Sequence, residues 1–165
     1  MSMRRLIPHL VYPDWWLKRV LRPDSLAHIE AAIGASEAHH HGEIRMVVEA
    51  TLDLMPVWRG LTVRERALEV FGRERIWDTE ASNGVLVYLL LAERDIEIVA
   101  DRGYADKVTA EEWESICREM ETEFRAGRFE SGALKAIERI DALLREHFPL
   151  SGANPNEIDN ALKIL

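Results

Sequence analysis

Trp77-Asp78-Thr79-Glu80-Ala81-Ser82-Asn83-Gly84 leads into Val85-Leu86-Val87-Tyr88-Leu89-Leu90-Leu91-Ala92, and then into Glu93-Arg94-Asp95-Ile96-Glu97-Ile98-Val99-Ala100-Asp101-Arg102-Gly103. The eight apolar residues from Val85 to Ala92 read as a strand covered on both faces. The connection from Ala92 to Asp95 is too short for anything but a tight turn. Ile96 and Ile98 then alternate with Asp95 and Glu97, the period-2 pattern of a second strand. The stretch predicts a core hairpin, with Asn83-Gly84 as its lead-in and acidic residues where it opens.

Working outward, Ile44 to Leu52 predicts a further strand, with Ile44, Met46 and Val48 on one face and Arg45, Val47 and Glu49 on the other. Pro56 to Gly60 reads as loop. Thr62-Val63-Arg64-Glu65 is a capping box, so a helix opens there and buries Ala67, Leu68, Val70 and Phe71. The segment from Ile44 to Leu91 is then a β-α-β unit, whose strands should be parallel with a right-handed crossover. Upstream, Pro23-Asp24-Ser25 opens a helix with Asp24 or Ser25 as cap, Leu26, Ile29 and Ile33 as its stripe and Gly42 as its stop. Downstream, Thr109-Ala110-Glu111-Glu112 is a second capping box. Trp113, Ile116, Cys117, Met120 and Phe124 follow at helical spacing, and Gly127 ends the helix. A last helix from Phe129 to about His147 carries Ala133, Ile137, Ile140 and Leu144, and Pro149 closes it.

The expected fold class is α/β: an αβα sandwich whose small mixed sheet, a β-α-β unit plus an antiparallel hairpin, is covered by about four helices. Three regions are expected: a basic tryptophan-containing arm over 1–22, the αβα domain over 23–149, and a tail over 150–165. The tail reads as loosely attached, with a short helical end.

A chain of 165 residues suits one domain. Its lone Cys117 excludes an internal disulfide framework. Pro8, His9, Pro13 and Asp14 interrupt any apolar export signal, and eight apolar residues fall far short of the ~20 that cross a bilayer. A cytoplasmic location, peripheral to a membrane, is the expectation. Residues 1–22 hold Arg4, Arg5, Lys18, Arg19 and Arg22 against Asp14, a net of +4; with −8 overall, the remainder carries −12. Such an acidic body argues against nucleic acid. The arm's Trp15, Trp16 and Arg19 suit contact with an anionic membrane surface or a membrane-associated protein partner.

This topology gathers polar groups at one edge of the sheet: His39, His40, His41 and Glu43; Asp78, Glu80, Ser82 and Asn83; Asp101, Arg102 and Asp106. Oxygen donors from several loops suit a hard cation, and Ca2+ is the candidate, with Asp78, Asn83, Asp101 and Asp106 as metal ligands and Glu43 and Arg102 on the rim. Three successive histidines cannot all reach one ion; placement at a helix C-terminus accounts for them better. Ser82 lies in no nucleophile elbow, and a single Gly103 is no phosphate-cradling loop, so no catalytic residue is assigned.

With these residues in view, the chain resembles the TPM-domain family of thylakoid-lumen and bacterial proteins. The resemblance rests on Gly42-Glu43-Ile44, Asn83-Gly84-Val85-Leu86, Arg94-Asp95-Ile96-Glu97-Ile98, Gly103, and the spaced glycines and aromatics from Phe124 to Gly132, and it covers residues 24 to about 148. It implies an αβα sandwich, calcium binding in some relatives and an acid phosphatase activity proposed for a plant member. Ser82 stands where relatives commonly carry aspartate, and Ala105 aligns with their usual glutamate. The leading expectation is therefore a non-catalytic TPM-like binding and interaction domain. The alternative is a metal-dependent, calcium-binding phosphomonoester phosphatase working at the acidic rim.

Overall fold

The computed structural model describes residues 5–13 and 18–165; Trp15 and Trp16 lie outside them. At its centre runs β2 (Gly84–Leu90), with every residue buried. It pairs in parallel with β1 (Glu43–Glu49), from Glu43 beside Gly84 to Glu49 beside Leu90, and antiparallel with β3 (Asp95–Ala100). Hydrogen bonding on both sides and helices on both faces explain the unbroken apolar run.

On one face, α2 (Pro23–Glu37), α5 (Ala110–Arg125) and α6 (Phe129–His147) lay Ile29, Ile33, Ile116, Met120, Ile137 and Ile140 against Ile44, Met46, Val48, Val85, Val87 and Leu89. On the other, α3 (Leu54–Trp58) and α4 (Val63–Arg73) bring Val57, Val63, Ala67 and Val70 to Val47, Leu86, Tyr88 and Leu90. The architecture is the αβα sandwich with a mixed sheet. Both capping boxes form, at Thr62–Glu65 and at Thr109–Glu112. A five-residue helix, α1 (Leu6–Leu10), precedes this framework.

Three details depart from the sequence reading. Leu54–Trp58 is a helix and not a loop, because burial of Val57 holds a turn that has no side-chain cap. Helix α2 starts on Pro23, with Arg22 and not Asp24 or Ser25 at its cap, and ends at Glu37, ahead of Gly42. Gly42 serves close packing instead, since a Cβ there would lie 2.6 Å from Leu144.

The third departure is the tail, which is firmly placed. Arg45 donates to the carbonyls of Asp159 (2.5 Å) and Ala161 (2.7 Å), and the Leu162 amide reaches Glu30. The chain then forms β4 (Lys163–Ile164), parallel to β1, giving a sheet ordered β3-β2-β1-β4. The end is a strand and not a helix. Two residues carry no readable period, and backbone pairing with β1 holds them there.

Candidate functional site

Parallel pairing sets the starts of β1 and β2 side by side, and the antiparallel hairpin returns the end of β3 to the same lip. The Glu43 amide donates to the Asn83 carbonyl at 3.3 Å, and the Asp101 amide to the Gly84 carbonyl at 2.9 Å. The Tyr104 hydroxyl donates to the Asn83 carbonyl at 2.7 Å, and Arg102 Nε to Ser82 Oγ at 3.1 Å. Glu43, Ser82, Asn83, Asp101 and Arg102 are thus brought together. Asp78 is turned to Arg75 (2.6 Å) on an exposed turn, and Asp106 and Ala105 are exposed beyond the short helical turn Arg102–Tyr104. Ser82 sits at φ +52°, a left-handed position that shapes the turn, and the Gly103 amide donates to its carbonyl.

Most polar groups at the lip are already engaged. Glu43, only 2% exposed, accepts the amides of Glu157 (3.3 Å) and Ile158 (3.0 Å) from the tail, and burial raises its pKa. Glu37 accepts the Ile44 amide at 2.9 Å. Burial, reinforced by the neighbouring Glu43 charge, pushes its carboxyl up to about 7. Asn83 Nδ2 donates to the His41 carbonyl at 2.6 Å, and Asp101 Oδ1 accepts the Arg102 amide at 2.7 Å.

Two oxygens remain. Asn83 Oδ1 and Asp101 Oδ2 are buried and have no hydrogen-bond partner. Calcium takes six to eight oxygens, so backbone carbonyls and water would have to complete a shell begun by these two. Among the described residues no group of three or more His, Cys, Asp and Glu is arranged to hold a metal ion.

The three histidines have separate duties. His39 contacts Arg145, His41 contacts Asn154 and Ser151, and buried His40 contacts Ser36 at 2.9 Å. Ser36 donates directly to Asp141 at 3.0 Å, so this Ser-His-Asp grouping ties α2 to α6; its serine proton is already committed to the carboxylate.

The family description that matches this chain is TPM domain, and the match spans residues 17–143. The chain belongs to the TPM-domain family. Its fold is similar to the NMR structure of BA42 protein from the psychrophilic bacterium Bizionia argentinensis, with a TM-score of 0.78 and 27% sequence identity. That likeness covers 88% of this chain and 95% of the other. No curated protein matches it.

This TPM domain carries a second polar centre at the opposite end of the sheet, where ligands of open α/β sheets commonly lie. Buried Glu49 accepts Arg66 Nε (2.9 Å), Arg66 Nη2 (2.8 Å) and the Tyr88 hydroxyl (2.6 Å). Desolvation, first, and the Glu49 bond hold the Tyr88 phenol well above its usual range. Glu49 and Arg66 wall a cavity of about 760 Å3 that Asp53, Met55 and Arg59 also line.

Beside it the TPM domain clasps its own N-terminal segment. Arg5 and His9 both reach Glu93, at 2.8 and 3.0 Å, and the Leu52 amide donates to His9 Nδ1 at 3.0 Å. Helix α1 is thereby fastened across the strand ends, with Ile7, Leu10 and Val11 exposed. The adjoining helix α3 exposes Leu54, Met55 and Trp58. The sequence reading took Arg5 as part of a basic arm open to a membrane surface or partner. Nothing local in sequence links it to Glu93, 88 positions away.

Proposed function

We propose that this TPM domain is a non-catalytic docking module that settles on an anionic membrane surface with the end bearing α1 and α3. The observation carrying this reading is the set of six large apolar side chains left exposed on two adjoining helices and the cap of the first, from Leu54 at 40% to Val11 at 69%. Each such side chain, once removed from water, contributes up to about 1.5–3 kcal/mol. The +4 of residues 1–22 adds about 1 kcal/mol for each basic group held near anionic lipid. No helix among the described residues is long and apolar enough to cross a membrane, so docking would be peripheral.

Flotation with vesicles of phosphatidylserine in phosphatidylcholine tests this. The chain should rise with anionic vesicles and not with phosphatidylcholine alone, and the I7S/L10S/W58S variant should stay behind. Equal flotation of the variant, or none of the parent chain, overturns the reading.

A second reading, a metal-assisted phosphomonoester hydrolase at the lip, is favoured by one observation: Asn83 Oδ1 and Asp101 Oδ2 are buried without partners. In it these two atoms begin the cation shell, and exposed Asp78 and Asp106 contribute negative field.

A further inference from the structure

The tail is held mainly by polar contacts. From Leu150 to Leu165 only Leu162 is buried, and only the two residues of β4 pair with β1. The other fastenings are side chains that grip the backbone of the tail. Glu43 takes the amides of Glu157 and Ile158, Arg45 the carbonyls of Asp159 and Ala161, and Glu30 the amide of Leu162. A last backbone bond runs from the Leu165 amide to the Val48 carbonyl at 2.9 Å. The segment leaves the body at an exposed turn, where Gly152 sits at φ +82° with nothing within 4 Å of a Cβ position. Few apolar contacts beyond an open left-handed turn suit a strap that lifts while the sheet stays folded.

Beneath the strap lies a carboxyl with no cation. Glu37, at the end of α2, is 6% exposed, and two side chains of the tail meet it. Asn154 Nδ2 donates to its carbonyl at 2.8 Å, and Asn160 faces its carboxyl. Glu37 Oε1 takes the Ile44 amide, whereas Glu37 Oε2 and Asn160 Oδ1 are buried without a partner. The charged groups around it offer no relief. From β1, Glu43 adds a like charge, and Arg45 is turned to Glu74 and Asp159. From the tail, Glu157 binds the Glu80 amide. From α6, Asp141 and Arg145 pair with each other at 2.8 Å and contact His40 and His39. Burial pulls the His40 imidazole down, so it stays neutral as pH rises, and His41 is bound to Asn154. Among the described residues no ion pair forms at Glu37.

We propose that residues 151–165 form a pH-gated strap over the lip, closed while Glu37 carries a proton and released when Glu37 gives it up. Protonated, the carboxyl brings a donor to a place where two oxygens lack one. Ionised, it is a buried charge beside Glu43, and lifting the tail lets water reach it. Burial holds this carboxyl up to about 7 against an ordinary 4.5. The strap is therefore shut in mild acid and loosens as pH climbs through neutrality. An open strap uncovers the outer edge of β1 and frees the Glu43 carboxylate, on the lip that also carries Asn83 Oδ1 and Asp101 Oδ2. Access to the lip is what the switch governs. It rests on neither functional reading above, since trigger and strap are the same with any occupant.

Hydrogen exchange on the full chain tests this, read as protection factors corrected for the intrinsic exchange rate at each pH. The amides of Ile158, Leu162 and Leu165 report the strap, and those of Val87 and Leu89 report the sheet. Opening becomes about tenfold easier for each pH unit between 4.5 and about 7. Tail protection should therefore fall more than tenfold between about pH 5 and about pH 8 and lie well below that of β2 at the upper end. Glu37→Gln keeps an acceptor for the Ile44 amide and is neutral throughout, so its tail protection should not vary with pH. Glu43→Gln, the second variant, loosens the tail at every pH and should still lose protection as pH rises. Tail protection that ignores pH in the parent chain, or falls equally in Glu37→Gln, overturns the switch. Tail protection equal to that of β2 at every pH means that the tail leaves only when the whole fold does, and overturns the strap. A flat profile in Glu43→Gln alone removes Glu37 as the trigger.

Discussion

The carboxylate of Glu43 accepts the backbone amide of Ile158 at 3.0 Å, across 115 positions of the chain, and so closes the tail over the lip of the sheet. The second carboxylate oxygen takes the amide of Glu157, and the Glu157 side chain in turn accepts the amide of Glu80. A residue that the sequence places on the rim is thus the anchor of a strap. Substituting Glu43→Ala leaves two tail amides without their acceptor, at a cost of about 1–3 kcal/mol. Urea unfolding should register the loss, and hydrogen exchange should accelerate at residues 157 and 158. Unchanged exchange at those amides would show that the strap is not held there.

Two buried carboxyls should contribute less to stability as pH rises toward neutrality, while His40, whose pKa burial lowers, contributes in the opposite direction. Burial lifts Glu37 from an ordinary 4.5 to about 7 and Asp95 from 3.8 to about 6. A carboxyl raised in the folded state keeps its proton when the unfolded chain has released it. Its contribution is complete below the unfolded value and is lost as pH climbs through the folded one. Asp95 therefore acts between pH 3.8 and about 6, and Glu37 between 4.5 and about 7. Glu37 acts in the upper part of this range, and buried Glu43 is raised in the same direction. The stability of the parent chain relative to Glu37→Gln should fall across that window; parallel curves contradict the assignment.

Two glycines separate close approach from mere flexibility. A Cβ on Gly103 would stand 2.4 Å from the Ser82 carbonyl oxygen, a backbone atom with nowhere to go, so Gly103→Ala should destabilise by about 1–3 kcal/mol. Gly72 lies within α4 with nothing within 4 Å of the same position. There alanine should stabilise by roughly 0.5–1 kcal/mol. Similar losses at both sites would mean that the lip turn is not packed as tightly as its geometry requires.

Calcium decides the hydrolase reading. A cation seated on Asn83 Oδ1 and Asp101 Oδ2 stabilises the folded chain by about 2.7 kcal/mol at a hundredfold excess over its dissociation constant. Thermal unfolding should shift upward and saturate with the parent chain, and Asp101→Ala should abolish the shift. Absence of any shift with calcium, magnesium and manganese would remove metal chemistry from the lip.

The clasp on α1 is testable in the same way. His9 is buried and holds the Leu52 amide, so Glu93→Ala or His9→Ala should loosen α1 and expose its peptide bonds to protease. Limited proteolysis should cut before residue 13 much faster in either variant than in the parent chain. Equal cutting rates would mean that the clasp does not restrain the arm.

Much of the framework was legible because its signals are local. The Val85–Ala92 run, the alternation of Ile96 and Ile98, and the boxes at Thr62 and Thr109 each depend on residues within one element. The convergence of Glu43, Asn83 and Asp101 also followed from the order of elements, since pairing direction dictates which ends meet. The occupancy of those groups was not legible. Glu43 is engaged by a backbone that bears no pattern, and His9 by a carboxylate 84 positions away.

The hairpin, the helix starts and the layered fold are written locally in the chain, because burial period and capping act over a few residues and leave their mark in composition. Which polar atoms remain without a partner and where β4 joins the sheet emerge only when the chain is folded in space. Those outcomes depend on distant segments competing for the same hydrogen-bonding groups, and such a competition is resolved in space.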